Sequence, residues 1–174
     1  MTAGPTERAV EKFLAYFKEA KKLHLSVTGK PLEMYKSTDA GCLAEVFDGI
    51  WALAVTGPGF VAETLHRLAW GQWLGNGNHR TTLLFLGEFL SSSGIRFPPY
   101  GEEPGAEARF ERDLNQWIHR SQALIRRRGE PGFAQARLEP ARRKMSREGV
   151  LELLGPQSEA LMMVGPQRLM KAIS

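Results

Sequence analysis

The segment ending at Leu90 constrains this chain most, because its apolar side chains leave a helix almost no polar face. Arg80–Leu90 reads RTTLLFLGEFL, with Leu83 to Leu86 apolar in succession and Phe89 and Leu90 extending the coverage nearly all round. A helix of that kind is normally surrounded by others. The chain is therefore expected to form a helical bundle around this segment, predicted from His79 to about Ser92. The neighbouring sequence supplies the partners. Val10, Phe13, Leu14 and Phe17 follow the i, i+3, i+4, i+7 spacing of an amphipathic helix, opening near Thr6 with Lys18, Lys21 and Lys22 in its last turns. Leu43, Val46, Phe47, Ile50 and Leu53 predict a second helix over about Ala40 to Val55, stopped by Gly57-Pro58-Gly59. A third, about Phe60 to Trp73, carries Val61, Leu65, Leu68 and Gln72 on one stripe by steps of four, three and four.

Between the first two helices, residues 26–41 contain Gly29, Pro31 and Asp39, and a short strand or hairpin is expected there. Gly94 ends the apolar helix, and Phe97-Pro98-Pro99-Tyr100-Gly101 reads as a rigid connector. Phe110, Leu114, Trp117, Ile118, Leu124 and Ile125 predict a further amphipathic helix, followed by short helical pieces divided at Gly155-Pro156 and Gly165-Pro166. The expected organisation is all-α, with a core over residues 1–100 and a helical extension over 105–174 packed on it.

Charge separates the same two regions. Residues 1–105 balance at −1 and residues 106–174 at +5, within a net charge of +4. The clusters Arg126-Arg127-Arg128 and Arg142-Arg143-Lys144 are read either as solvated cations near helix ends or as a surface for phosphates, nucleic acid or an acidic protein. No apolar run approaches the roughly 18 residues of a membrane span. The N-terminal MTAGPTERAVEKF lacks the cationic-then-apolar order of a secretory signal. No membrane partner and a cytoplasmic location are therefore expected. Cys42 is the single cysteine, which excludes an internal disulfide framework. His24, His66, His79 and His119 show no metal-ligand spacing.

The turn before the apolar helix is chemically unusual. Gln72 ends a core-facing row, so it should look inward where the chain turns. Gly75-Asn76-Gly77-Asn78 follows, with Asn78 the expected N-cap of the next helix. The first amides of a helix have no partner inside it, and the peptide dipoles add partial positive charge there, so a phosphate is a natural ligand for that end. Gly75 and Gly77 permit positive φ and close backbone approach, and successive amides in such a turn form an anion-binding nest. His79 and Arg80 fall in the first turn, where a helix prefers acids, and no carboxylate lies between Glu63 and Glu88. A cation there is unfavourable by a few tenths to about 1 kcal/mol, and a bound anion reverses the penalty. The competing reading is an ordinary Asn-Gly turn with Arg80 directed to solvent or a distant acid.

These residues resemble the signature of the Fic/Doc family, His-x-Phe-x-(Asp/Glu)-(Gly/Ala)-Asn-(Lys/Gly)-Arg, commonly followed by Thr. Gln72-Trp73-Leu74-Gly75-Asn76-Gly77-Asn78-His79-Arg80-Thr81 falls on it without a gap. Gly77, Asn78, Arg80 and Thr81 match, Leu74 takes the aromatic position and His79 replaces Lys/Gly. The flanks are similar as well: His24, Gly29 and Asp39-Ala40-Gly41-Cys42-Leu43 upstream, and Leu84-Phe85-Leu86 through Gly94-Ile95 downstream. The resemblance covers about residues 20–97 and implies an all-helical fold whose loop holds the phosphates of a nucleotide, usually ATP. The implied reaction moves AMP, or in Doc-like members a phosphate, onto a hydroxyl of a target protein, and several members are toxins restrained by an antitoxin helix. By position, Gly75, Gly77, Asn78, His79, Arg80 and Thr81 would line the phosphate site, with Arg80 also stabilising the transition state.

Two departures weaken the implied chemistry. Gln72 stands where the family has its general-base histidine, and an amide has no useful basicity near neutral pH; losing the base is expected to cost about 10²–10⁴-fold in rate. Asn76 stands where the family acid holds Mg²⁺, and a neutral oxygen binds a hard dication more weakly. His66, six residues before Gln72, is expected on the helix surface. No internal inhibitory helix motif is present, since Ser146-Arg147-Glu148-Gly149 is two residues short of it. Three readings remain open: a nucleotide- or phosphate-binding module of Fic/Doc type with attenuated or absent transfer, an active transferase using a non-standard base, and a nucleic-acid-binding or regulatory module acting through the basic C-terminal third.

Overall fold

The computed structural model describes residues 3–70, 73–95 and 159–174, with the side chains of Val27 and Trp70 excepted. These residues form α1 (Pro5–Thr28), α2 (Ala40–Trp51), α3 (Pro58–Trp70), α4 (Asn78–Ser92), α5 (Glu159–Met162) and α6 (Pro166–Ile173), with no strand among them. The all-α expectation holds for the described residues.

Three phenylalanines at helical spacing bring the helices together. Phe13 of α1, Phe47 of α2 and Phe85 of α4 meet edge to face, with centroid separations of 6.1, 5.7 and 5.6 Å, the arrangement aromatic quadrupoles favour. Around them α1 lies against α2 and α4, and α3 packs on the other side of the same two helices. Leu43, Val46, Phe47 and Ile50 form the buried face of α2, whereas α3 is buried nearly all round, at Phe60, Val61, Ala62, Thr64, Leu65, His66, Leu68 and Ala69. Phe85, Leu86, Phe89 and Leu90 of α4 are buried, while Leu83 and Leu84 are half-buried. Its exposed Glu88 is joined to Lys12 of α1 at 2.8 Å. The C-terminal end belongs to the same core: Leu161, Val164 and Leu169 are buried within it.

Several element ends differ from the sequence-based expectation. Residues 26–28 continue α1, and no hairpin forms between residue 26 and residue 41 among these described residues. The hydroxyls of Ser26 and Thr28 donate to the carbonyls of Leu23 and His24, and the Gly29 amide closes the helix on the Leu25 carbonyl with φ at 69°. The chain thereby stays helical up to a left-handed glycine stop. α2 ends at Trp51 instead of Val55, because the chain has to descend to Gly57, whose amide donates to the Val164 carbonyl at 2.7 Å. Gln72, the connector after Phe97, the helix predicted around residues 110–125 and both arginine clusters lie outside the described residues. Among the described residues no helix is long and apolar enough to cross a membrane.

Candidate functional site

α3 and α4 are joined by a loop described from Trp73 to Gly77. Its anchor is Leu74, whose side chain is fully buried. The backbone of Leu74 is clamped by one side chain: its amide donates to Asn78 Oδ1 at 2.9 Å, and its carbonyl accepts from Asn78 Nδ2 at 3.1 Å. A carboxamide offers an acceptor and a donor on one planar group, which is what the N–H and C=O of a buried residue need if neither is to be left unpaired. Asn78 is itself only 3% exposed. The sequence-based assignment of Asn78 as N-cap is corrected: it is the first residue of α4, and Gly77 holds the cap position at φ 75°, ψ 13°.

The other polar residues of the motif also face the loop. Asn76 Oδ1 accepts from the Gly77 amide at 2.7 Å, and its Nδ2 donates to the Glu33 carbonyl at 2.9 Å. Thr81 is fully buried, and its hydroxyl donates to the Gly77 carbonyl at 2.8 Å. Thr82 Oγ1 makes the equivalent bond to the Asn78 carbonyl. Trp73 is half-buried, with its indole N–H donating to the Arg67 carbonyl at 2.7 Å.

Residues 30–39 cross the outside of this loop as an irregular strap. The Tyr35 amide donates to the Gly75 carbonyl at 3.4 Å, and the Asp39 amide to the Trp73 carbonyl at 3.1 Å. A Cβ on Gly75 would stand 2.0 Å from the Lys36 carbonyl oxygen, and one on Gly77 would stand 3.1 Å from Leu32 Cδ2. The close approach at Gly75 is thus made by the strap's own backbone. Asp39 also caps α2, its Oδ1 accepting from the Cys42 amide at 3.0 Å. A hydrogen bond from the Cys42 thiol, then the Cys42 amide, hold the Asp39 carboxyl below its ordinary pKa. The same thiol bond raises the pKa of Cys42.

At the start of α4, Gly77 is half-buried and Asn78 is buried. His79 and Arg80 are half-buried in the first turn, which carries no acid. The first bond inside the helix runs from the Thr81 amide to the Gly77 carbonyl at 3.0 Å, so the amides of Asn78, His79 and Arg80 precede it. The structure therefore brings Gly75, Asn76, Gly77, Asn78, His79, Arg80 and Thr81 together, with the two asparagines and the threonine engaged in bracing. Of the strap residues, Leu32, Glu33 and Lys36 carry no such signal in the sequence. One expectation is overturned nearby: His66 is 7% exposed, buried instead of lying on the helix surface, because α3 is covered by α2 on one flank and α4 on the other. Among the described residues no group of His, Cys, Asp and Glu is suited to hold a metal ion.

Comparison of the chain with protein-family models, curated proteins and solved structures returns no match.

Proposed function

We propose that the loop and the first turn of α4 form a seat for nucleotide phosphate, in a Fic/Doc-like protein whose transfer chemistry is attenuated or lost. One observation carries this reading: a loop braced by the side chains of Asn76, Asn78 and Thr81 presents the start of α4 with His79 and Arg80 and no acid in its first turn. Helix amides and dipole favour an anion there. The helix dipole opposes cations in a first turn, and a bound anion offsets that. Rigid bracing lowers the ordering cost of binding.

In this reading the ligand contacts come from backbone amides, Arg80 and His79. Asn78 acts as a brace, since its Oδ1 and Nδ2 meet Leu74. ATP is the proposed ligand, and Mg²⁺ contributes little, because Asn76 Oδ1 accepts from Gly77 and carries no charge. Gln72 supplies no base, so any transfer of AMP or phosphate to a protein hydroxyl is slow. A target protein or antitoxin would act on this face in trans.

Calorimetric titration with ATP tests the assignment. Arg80→Ala is expected to weaken ATP binding by about 10- to 100-fold, the range of a lost charge-assisted hydrogen bond. Equal affinity of wild type and Arg80→Ala removes the phosphate seat. Omitting Mg²⁺ is expected to change the affinity little. Transfer of label from ATP by Gln72→His, absent in wild type, identifies a disarmed transferase; transfer by wild type itself identifies an active one with another base.

A further inference from the structure

Beyond Ala20, α1 leaves the core. Ala9, Phe13, Phe17 and Ala20 are its buried positions, and no described side chain from Lys21 to Thr28 is buried. Those last two turns keep their helical form through local bonds, including Gly29 N–H to the Leu25 carbonyl at 2.8 Å. Helices of this kind draw most of their stability from packing an apolar face. Here Leu23 is 45% exposed and Leu25 49%. Past Gly29 the chain reverses and brings Leu32 back near Phe17, both within van der Waals reach of a Cβ placed on Gly77. Met34 and Tyr35 on this returning segment are also exposed. Four of the seven exposed large apolar side chains among the described residues therefore fall between Leu23 and Tyr35. Over the longer run from Lys18 to Lys36 the surface is cationic: Lys18, Lys21, Lys22, Lys30 and Lys36 are exposed, against Glu33 and against Glu19, which pairs with Lys22 at 2.7 Å.

We propose that the projecting end of α1, with the returning segment beside it, is a docking surface for an acidic segment of another protein carrying apolar anchors. The excess of cations calls for carboxylates on the partner. The leucine positions select polypeptide over lipid. Leu23 and Leu25 are two positions apart, about 200° around a helix, so a flat bilayer cannot receive both, whereas a peptide can clasp the projecting end. Leu25 also lies on the same side of the helix as Lys18, Lys21 and Lys22, while an interfacial helix keeps cations and apolar anchors on opposite faces. The surface is independent of the nucleotide reading.

Random dodecapeptides displayed on phage and selected against the full chain are expected to enrich Asp and Glu around Leu, Ile, Phe or Trp. Synthetic copies, followed by fluorescence anisotropy, are expected to bind at least about tenfold more weakly to Lys21→Glu/Lys22→Glu and, separately, to Leu23→Ser/Leu25→Ser. Binding should also weaken as salt is raised. Circular dichroism checks that each variant is folded, and one folded variant suffices. No enrichment, enriched peptides without acids, or undiminished binding by a folded variant overturns the proposal. Two further results also overturn it. Self-association of wild type abolished by the leucine pair assigns the surface to a second copy, and retention on phosphatidylserine vesicles abolished by the lysine pair assigns it to lipid.

Discussion

Asn78 decides the loop at the scale of single atoms. Its carboxamide satisfies the backbone N–H and C=O of buried Leu74, at 2.9 and 3.1 Å. Asn78→Ala leaves that amide and carbonyl without their side-chain partners, and each buried unsatisfied group costs about 1–3 kcal/mol. A loss of about 2–6 kcal/mol in urea unfolding is expected, whether or not a ligand is present. An Asn78 acting only as a phosphate contact would leave stability unchanged. The residue types here were legible in the sequence, but their directions were not. Asparagine bonds to nearby backbone in many local geometries, and nothing in the spacing of Leu74 and Asn78 marks them as partners. Gly75 carries the same lesson: a residue without Cβ announces that something comes close, and Lys36, far earlier in the chain, supplies the carbonyl that does.

At the scale of elements, the strap and the loop hold one another. Gly75→Ala forces a Cβ to within 2.0 Å of the Lys36 carbonyl, and backbone yields less readily than a side chain, so the strap has to lift. Gly77→Ala and Gly94→Ala make a controlled pair, with φ at 75° and 78°. Each pays about 1–2 kcal/mol for a left-handed residue. Gly94 has open space around its Cβ position, whereas Gly77 meets Leu32 at 3.1 Å, so Gly77→Ala should lower the urea midpoint further. Asp39 ties strap, loop and α2 together. Its carboxyl pKa is lowered by the Cys42 thiol and amide bonds. Its contribution is therefore fully present above the ordinary carboxylate pKa of about 3.9 and is lost as pH falls through the lower folded value. Asp39→Asn is expected to be less stable than wild type near neutral pH, with the gap closing in acid; a gap that widens in acid contradicts the assignment. Helix periodicity makes α1, α2 and α3 legible through their apolar stripes, and the near-absence of a polar face does the same for α4. The strap reads from sequence as a short strand or hairpin, since its fixed points are isolated backbone bonds with no side-chain period.

At the scale of the whole molecule, the described C-terminal residues close the bundle that the N-terminal helices leave open. Leu161 and Leu169 are 1% exposed and Val164 is fully buried, and α6 touches α1, α2 and α4 together. The run Leu161-Met162-Met163-Val164 is legible as packing from its composition, yet only its outer members face inward; Met162 and Met163 are 45% and 69% exposed. Short segments carry too few turns for a period to distinguish the two faces. The difference is measurable. Leu169→Ala is expected to cost about 2–5 kcal/mol, as buried leucines do, whereas Met163→Ala should stay within about 0.5 kcal/mol of wild type. Removing residues 159–174 takes away all three buried aliphatics, each worth roughly 1.5–3 kcal/mol. Their sum rivals the roughly 5–15 kcal/mol that holds a domain folded. The shortened chain should therefore lose its cooperative urea transition. A sharp transition surviving that deletion would mean that α1 to α4 close their own core, and the burial of Leu161, Val164 and Leu169 would then be a covering without a structural consequence.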